Sequence, residues 1–154
     1  MKKNFIALLL MFIIFTPINN VSALEKNNES STFEYELNGN YYETIITYDS
    51  LLTRATNSVS GHKTLAYKTS SGKTLWSITV NGTFTYNGST SSCTSASVST
   101  SVVDGSWKIA SKSSSKSGNT AKATATAHCY LNGNIINRQT KTITLKCSAN
   151  GKLS

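Results

Sequence analysis

The chain has 154 residues, of which 14% are charged and 9% aromatic, and 45 positions carry a small hydroxyl (24 Ser, 21 Thr). One proline and nine glycines exclude collagen-like and Pro/Gly-rich disordered classes, and 38% apolar content supplies one modest core. So much Ser and Thr argues against a helical bundle, because those side chains compete for the helix backbone hydrogen bonds; strands are favoured instead.

The first residues read as an export signal. Lys2 and Lys3 precede an apolar run from Phe5 to Phe15, and Val21-Ser22-Ala23 is a small-residue cleavage pattern. That run is too short for a bilayer, which needs roughly 20 apolar residues. A signal peptide is therefore expected over 1–23, cleaved after Ala23, leaving a secreted protein that is extracellular or loosely attached to the envelope. The nearest cysteine, Cys93, is far from the cleavage point, so no lipid anchor is expected there.

Charge is split along the chain. Residues 24–50 carry a net −5 and residues 51–154 a net +11. The sequence thus divides into an acidic segment, 24–60, with a hairpin around Leu37-Asn38-Gly39-Asn40 and a connector, and a basic domain, 61–154. Such asymmetry fits an acidic segment shielding a basic domain, or a basic domain meeting an anionic partner; a merely well-solvated surface fits it too.

Alternation with period two marks the strands. In Thr74 to Tyr86, Trp76, Ile78, Val80, Phe84 and Tyr86 share one face, with Gly82 as a bulge or close-packing point. His62 to Thr69 precedes it across a Ser-Ser-Gly-Lys turn. Thr94 to Val103 follows, closed by Asp104-Gly105, which reads as a tight hairpin. Trp107 onward, Thr120 to Leu131 and Ile135 to Cys147 complete the series, with Ala121, Ala123, Ala125 and Ala127 lining one side. This spacing predicts an all-β, antiparallel, immunoglobulin-like sandwich, with a small barrel as the alternative.

Three cysteines in an exported chain leave one unpaired within the molecule. Strand directions put Cys93, opening a rising strand, and Cys147, closing a falling one, at the same end. Cys129 lies near the other end and about 33 Å along the sheet from Cys147 at ~3.3 Å per residue. A Cys93–Cys147 disulfide is expected, with Cys129 a buried free thiol.

The run from Leu75-Trp76 through Val80-Asn81-Gly82-Thr83-Phe84-Thr85-Tyr86-Asn87-Gly88, and the ending Cys147-Ser148-Ala149-Asn150-Gly151-Lys152-Leu153-Ser154, resemble a family of small exported proteins of Gram-positive Firmicutes. The likeness covers residues 62–154. It implies a compartment and domain boundaries but no mechanism, since the family carries no assigned activity.

Catalytic constellations are weak. His128-Cys129 is the one tempting nucleophilic pair, yet adjacent strand residues point to opposite faces. His62 reads as solvated, and Glu34 and Glu36 as ordinary surface alternation. Zinc spacing, a nucleophile elbow and a phosphate loop are missing from the sequence. The expectation is a non-enzyme without cofactor, metal or nucleic-acid partner, and without integral membrane insertion once the signal is removed.

The positive signal is a face. If the last three strands are neighbours, the outward positions Lys108, Lys112, Lys116, Lys122, Tyr130, Arg138 and Lys146 border a Thr-rich strip. Lysines at every second outward position stand about 13 Å apart, a spacing suited to a repeating anionic polymer such as wall teichoic acid or an acidic polysaccharide. The same residues also serve plain solubility, since Thr suits a solvent-facing strand and Lys guards sheet edges. Three functions follow: a binding or structural module for anionic envelope or extracellular polymers; a secreted effector or bacteriocin-like protein with residues 24–50 as an acidic pro-segment; and a neutral-carbohydrate binder, which the inward phase of Trp76 and Trp107 disfavours.

Overall fold

The computed structural model describes residues 30–49 and 57–154. The expected signal peptide, the start of the acidic segment and most of the connector lie outside the described residues. Eight strands follow one another: β1 (Ser30–Tyr35), β2 (Tyr41–Tyr48), β3 (Ser58–Lys68), β4 (Thr74–Tyr86), β5 (Ser91–Val102), β6 (Trp107–Ser117), β7 (Thr120–Leu131) and β8 (Asn134–Lys146). They form two antiparallel sheets, β1-β2-β3-β4-β5 and β6-β7-β8, packed as a sandwich. Within each sheet every strand pairs with its sequence neighbours, so each sheet is a meander without the crossover of a Greek key.

The alternation read from sequence explains the core. Trp76, Ile78, Val80 and Phe84 of β4 are fully buried, and Ala121, Ala123, Ala125 and Ala127 of β7 face them, also fully buried. Small residues opposite large ones let the two sheets interdigitate. Contact is closest at Gly82, where a Cβ would stand 2.6 Å from the Phe84 ring and 3.2 Å from Ala121 Cβ. At one end an aromatic group closes the core: Tyr67 packs edge-on to Trp107 at 5.6 Å and stacks on Tyr42 at 4.7 Å.

The acidic hairpin belongs to this sandwich. β2 pairs with β3 from Tyr41↔Lys68 to Tyr48↔Gly61, and the Tyr42 hydroxyl donates to Gln139 Oε1 of β8 at 2.6 Å. Tyr42 is only 1% exposed. Burial, with the nearby Glu36, Tyr67 and Glu34, holds its phenol well above the ordinary tyrosine range.

Two turns differ from expectation. Asp104-Gly105 does not close a hairpin; it carries the chain from one sheet to the other, since β5 and β6 lie in different sheets. The Asp104 carboxylate accepts from Ser106 N at 3.1 Å and from Lys73 Nζ at 2.8 Å, which pins this corner and holds its pKa far below the usual carboxylate value. The β7–β8 turn is a two-residue Asn132-Gly133 loop with positive φ at both positions (51° and 82°), the geometry of a type I′ hairpin. Just past it a bulge shifts the ladder by one residue, from Tyr130↔Ile135 to Cys129↔Asn137.

Meander topology sorts the loops into two ends. One end gathers the β1–β2, β3–β4, β5–β6 and β7–β8 turns. The opposite end gathers the β4–β5 and β6–β7 turns and the C-terminal Cys147–Leu153 bridge.

Candidate functional site

β7 sets the outward face of the three-stranded sheet. With its alanines turned inward, Thr120, Lys122, Thr124, Thr126, His128 and Tyr130 turn outward. β8 answers in register, with Thr144 opposite Lys122, Thr142 opposite Thr124, Thr140 opposite Thr126 and Arg138 opposite His128. The hydroxyls bond across the strands, Thr124 to Thr142 at 2.8 Å and Thr126 to Thr140 at 2.9 Å. Lys146 stands opposite Thr120, and on the other flank Lys108 stands opposite His128. The Lys108 ammonium lies 5.2 Å from the centre of the Tyr130 ring.

Five of the seven expected residues, Lys108, Lys122, Tyr130, Arg138 and Lys146, thus share this face, but Lys112 and Lys116 do not. The ladder shifts between Ile109 and Ser111, so Ser111, Ser113 and Ser115 take the outward places opposite Thr126, Thr124 and Lys122. Lys112 now pairs with Ala125 and Lys116 with Ala121, in the inward phase. One inserted residue moves every later side chain to the other face. Lys116 instead reaches back to the Thr94 carbonyl on β5.

The result is a hydroxyl platform with a cationic row at each end. Lys108 and Arg138, on either side of His128, form one row, and Lys122 with Lys146 forms the other, six residues along β7, or about 20 Å at ~3.3 Å per residue. Residues 107–146 contain seven Lys or Arg and no Asp or Glu. Among the described residues, only Lys141 of these seven reaches a carboxylate, Glu34 of β1 at 3.6 Å, while its ammonium lies 3.8 Å over the Tyr42 ring. Sequence reading missed Lys63. It lies in the inward phase of β3, opposite Val80, and partial burial together with Lys146 lowers its pKa. Alternation from Leu65 through Lys63 to Gly61 carried that signal.

The expected Cys93–Cys147 disulfide is not formed. Both residues do reach the same end, where Cys93 N donates to Gly118 O at 2.7 Å and Cys147 N to Asn119 O at 3.0 Å. Their thiols are free, that of Cys93 donating to Ser95 O at 3.2 Å and that of Cys147 to Ser148 O at 3.3 Å. Strand direction located the cysteines along the sandwich but not across it. Cys93 lies on β5 of one sheet and Cys147 directly after β8 of the other, and each thiol turns to a nearby main-chain carbonyl instead of to its counterpart. Burial raises both thiol pKa values. Cys129 is also free, and half-buried rather than buried.

The other chemical expectations are local. His128 faces out beside Tyr130, at 6.4 Å between ring centres, while the Cys129 thiol is 3.8 Å from Ser106 Oγ. The two side chains of the tempting pair are therefore on opposite sides of the sheet. His62 is not simply solvated, since its Nδ1 lies 2.5 Å from Asp49 Oδ1. Trp76 and Trp107 are buried, as their phase required. Among the described residues no three His, Cys, Asp or Glu side chains gather as a metal site. A hollow lined by Thr85, Tyr86, Asn87, Thr90, Ser91 and Ser92 has a volume of about 120 Å³, against roughly 300–1,000 Å³ for a typical ligand pocket.

Comparison with family models, curated proteins and solved structures finds no match. The resemblance to exported Firmicute proteins gains no support from it.

Proposed function

We propose that this protein is an exported, non-catalytic binding module whose three-stranded sheet associates with an anionic polymer of the cell envelope or the extracellular matrix. The observation that carries the reading is the sign of the outward face: Lys108, Lys122, Arg138 and Lys146 stand on it, and no carboxylate occurs between residues 107 and 146. Two cationic rows about 20 Å apart along the strand engage separate anionic groups of one extended chain, and the Ser and Thr hydroxyls between them donate to its oxygens. A flat, open face suits a polymer better than a small molecule, which needs enclosure.

The pro-segment alternative is not favoured. Tyr42, inside the segment that would be removed, is buried against Tyr67 and bonded to β8. Cleavage at residue 50 would strip that contact from the core.

The test is co-sedimentation with purified Gram-positive cell walls, with and without their teichoic acid, across a salt series. Binding that requires the polymer and falls steeply with salt supports the reading, as does its loss in a Lys122→Gln/Arg138→Gln/Lys146→Gln variant. Retention indifferent both to salt and to these substitutions would refute it.

A further inference from the structure

The strongly exposed aliphatic side chains are not scattered, although the edge strand β1 also exposes Phe33 and Tyr35. Leu37, Val103, Leu131 and Ile136 are 110%, 61%, 59% and 59% exposed, and all four lie in or beside the turns gathered at one end of the sandwich. Three of them share a local pattern, an aliphatic residue directly before an Asx-Gly turn: Leu37-Asn38-Gly39, Val103-Asp104-Gly105 and Leu131-Asn132-Gly133. Turn chemistry explains the Asx-Gly pairs but not the aliphatic residue ahead of each. The turns at the opposite end present no such exposed aliphatic side chain among the described residues. We propose that this end docks on the surface of an anionic lipid bilayer, its aliphatic tips entering the interface while Lys108 and Arg138 meet lipid phosphates.

Three features select a bilayer over a protein partner. The aliphatic groups sit on separate turns, β1–β2, β5–β6 and β7–β8, belonging to both sheets, rather than on one continuous flat patch such as a stable protein interface buries. Behind them the side chains change in the order that the depth of a membrane interface demands. Tyr130 follows Leu131, and the Lys108–His128–Arg138 row stands three residues below that leucine, about 10 Å at ~3.3 Å per residue. Interfacial proteins bury their apolar face about 5–10 Å deep, which brings such a row level with the phosphates and leaves the aromatic ring at the headgroup boundary. The third feature is charge complementarity. The carboxylates near this end are engaged within the protein, Asp104 by Lys73, Glu43 by Lys68, and Glu36 by the Tyr67 hydroxyl at 2.8 Å. Glu36 keeps its charge, since the Tyr67 hydroxyl is neutral, but Lys108 and Arg138 have no carboxylate partner among the described residues, so the balance of unpaired charge at this end is positive.

This docking is separate from the polymer reading, because the aliphatic tips take no part in a polyanion contact. The test is flotation of the full chain with vesicles of phosphatidylcholine alone or with 30% phosphatidylglycerol, the variants being prepared identically so that any retained Phe5–Phe15 run contributes equally. Wild type should float with the anionic vesicles. A Val103→Ser/Leu131→Ser/Ile136→Ser variant should lose on the order of tenfold per aliphatic group in partitioning, with its binding to dextran sulfate unchanged. Lys108→Gln/Arg138→Gln, which leaves the apolar tips intact, should weaken flotation on anionic vesicles only. Equal flotation of wild type and the triple serine variant overturns the proposal. So does a concentration-dependent dimer in solution that the triple variant abolishes, which would assign the same tips to a second copy of the chain.

Discussion

Replacing Tyr42 separates a protein whose acidic hairpin is structural from one whose hairpin is disposable. The ring is 1% exposed, stacks on Tyr67 at 4.7 Å, carries the Lys141 ammonium 3.8 Å over its face and donates its hydroxyl to Gln139 at 2.6 Å. It therefore ties β2 of one sheet to β8 of the other. Tyr42→Phe keeps the ring and removes one half-buried hydrogen bond, at a cost of about 0.5–1.5 kcal/mol. Tyr42→Ala removes the ring as well and leaves a cavity beside Tyr67, at about 3–5 kcal/mol, as for other large aromatic truncations. Urea unfolding followed by the fluorescence of the buried Trp76 and Trp107 reads both changes as shifts in midpoint at unchanged slope. Combining Tyr42→Phe with Gln139→Ala should give less than the sum of the two single effects, because both remove the same bond. A Tyr42→Ala midpoint equal to that of wild type would show the hairpin to be an independent appendage, and the reasoning above would fail.

Other consequences are equally direct. Gly61→Ala would set a Cβ 2.4 Å from Leu153 Cδ1 and 2.6 Å from the Thr47 carbonyl; because the carbonyl is main chain, a loss of about 1–3 kcal/mol is expected in the same urea assay, and an unchanged midpoint would contradict this packing. Hydrogen bonds from Lys73 and Ser106 depress the pKa of Asp104 below its ordinary 3.8. Its contribution to stability is thus complete above that value and lost as pH falls below it. Asp104→Asn should accordingly be less stable than wild type at neutral pH and converge with it under acid, and a constant gap from pH 7 to pH 2 would exclude the linkage. In the native protein a bulky disulfide reagent should modify half-buried Cys129 ahead of buried Cys93 and Cys147, and in denaturant all three should react. Fast modification of either buried thiol in the native state would contradict their placement.

Period-two alternation sufficed to determine the fold class and most strand limits, because one face of each strand is buried and the side-chain phase then has a single solution. Thr74–Tyr86 and Thr120–Leu131 are strands with the bounds the pattern indicates, and the inward places of both tryptophans follow from the same phase. The pattern fails where burial does. β6 beyond Ile109 is exposed along both faces, so nothing in its Ser/Lys sequence marks the register shift that carries Lys112 and Lys116 off the expected face. Cross-sheet relations were equally illegible. Whether Asp104-Gly105 closes a hairpin or changes sheet, how far Cys93 stands from Cys147, and that Tyr42 belongs to the core all depend on how two layers stack, which no local sequence signal encodes. The opening excess of serine and threonine declared strands and a hydroxylated surface. Only the tertiary structure arranged that surface into a carboxylate-free sheet and brought three aliphatic Asx-Gly turns, distant in sequence, to one end.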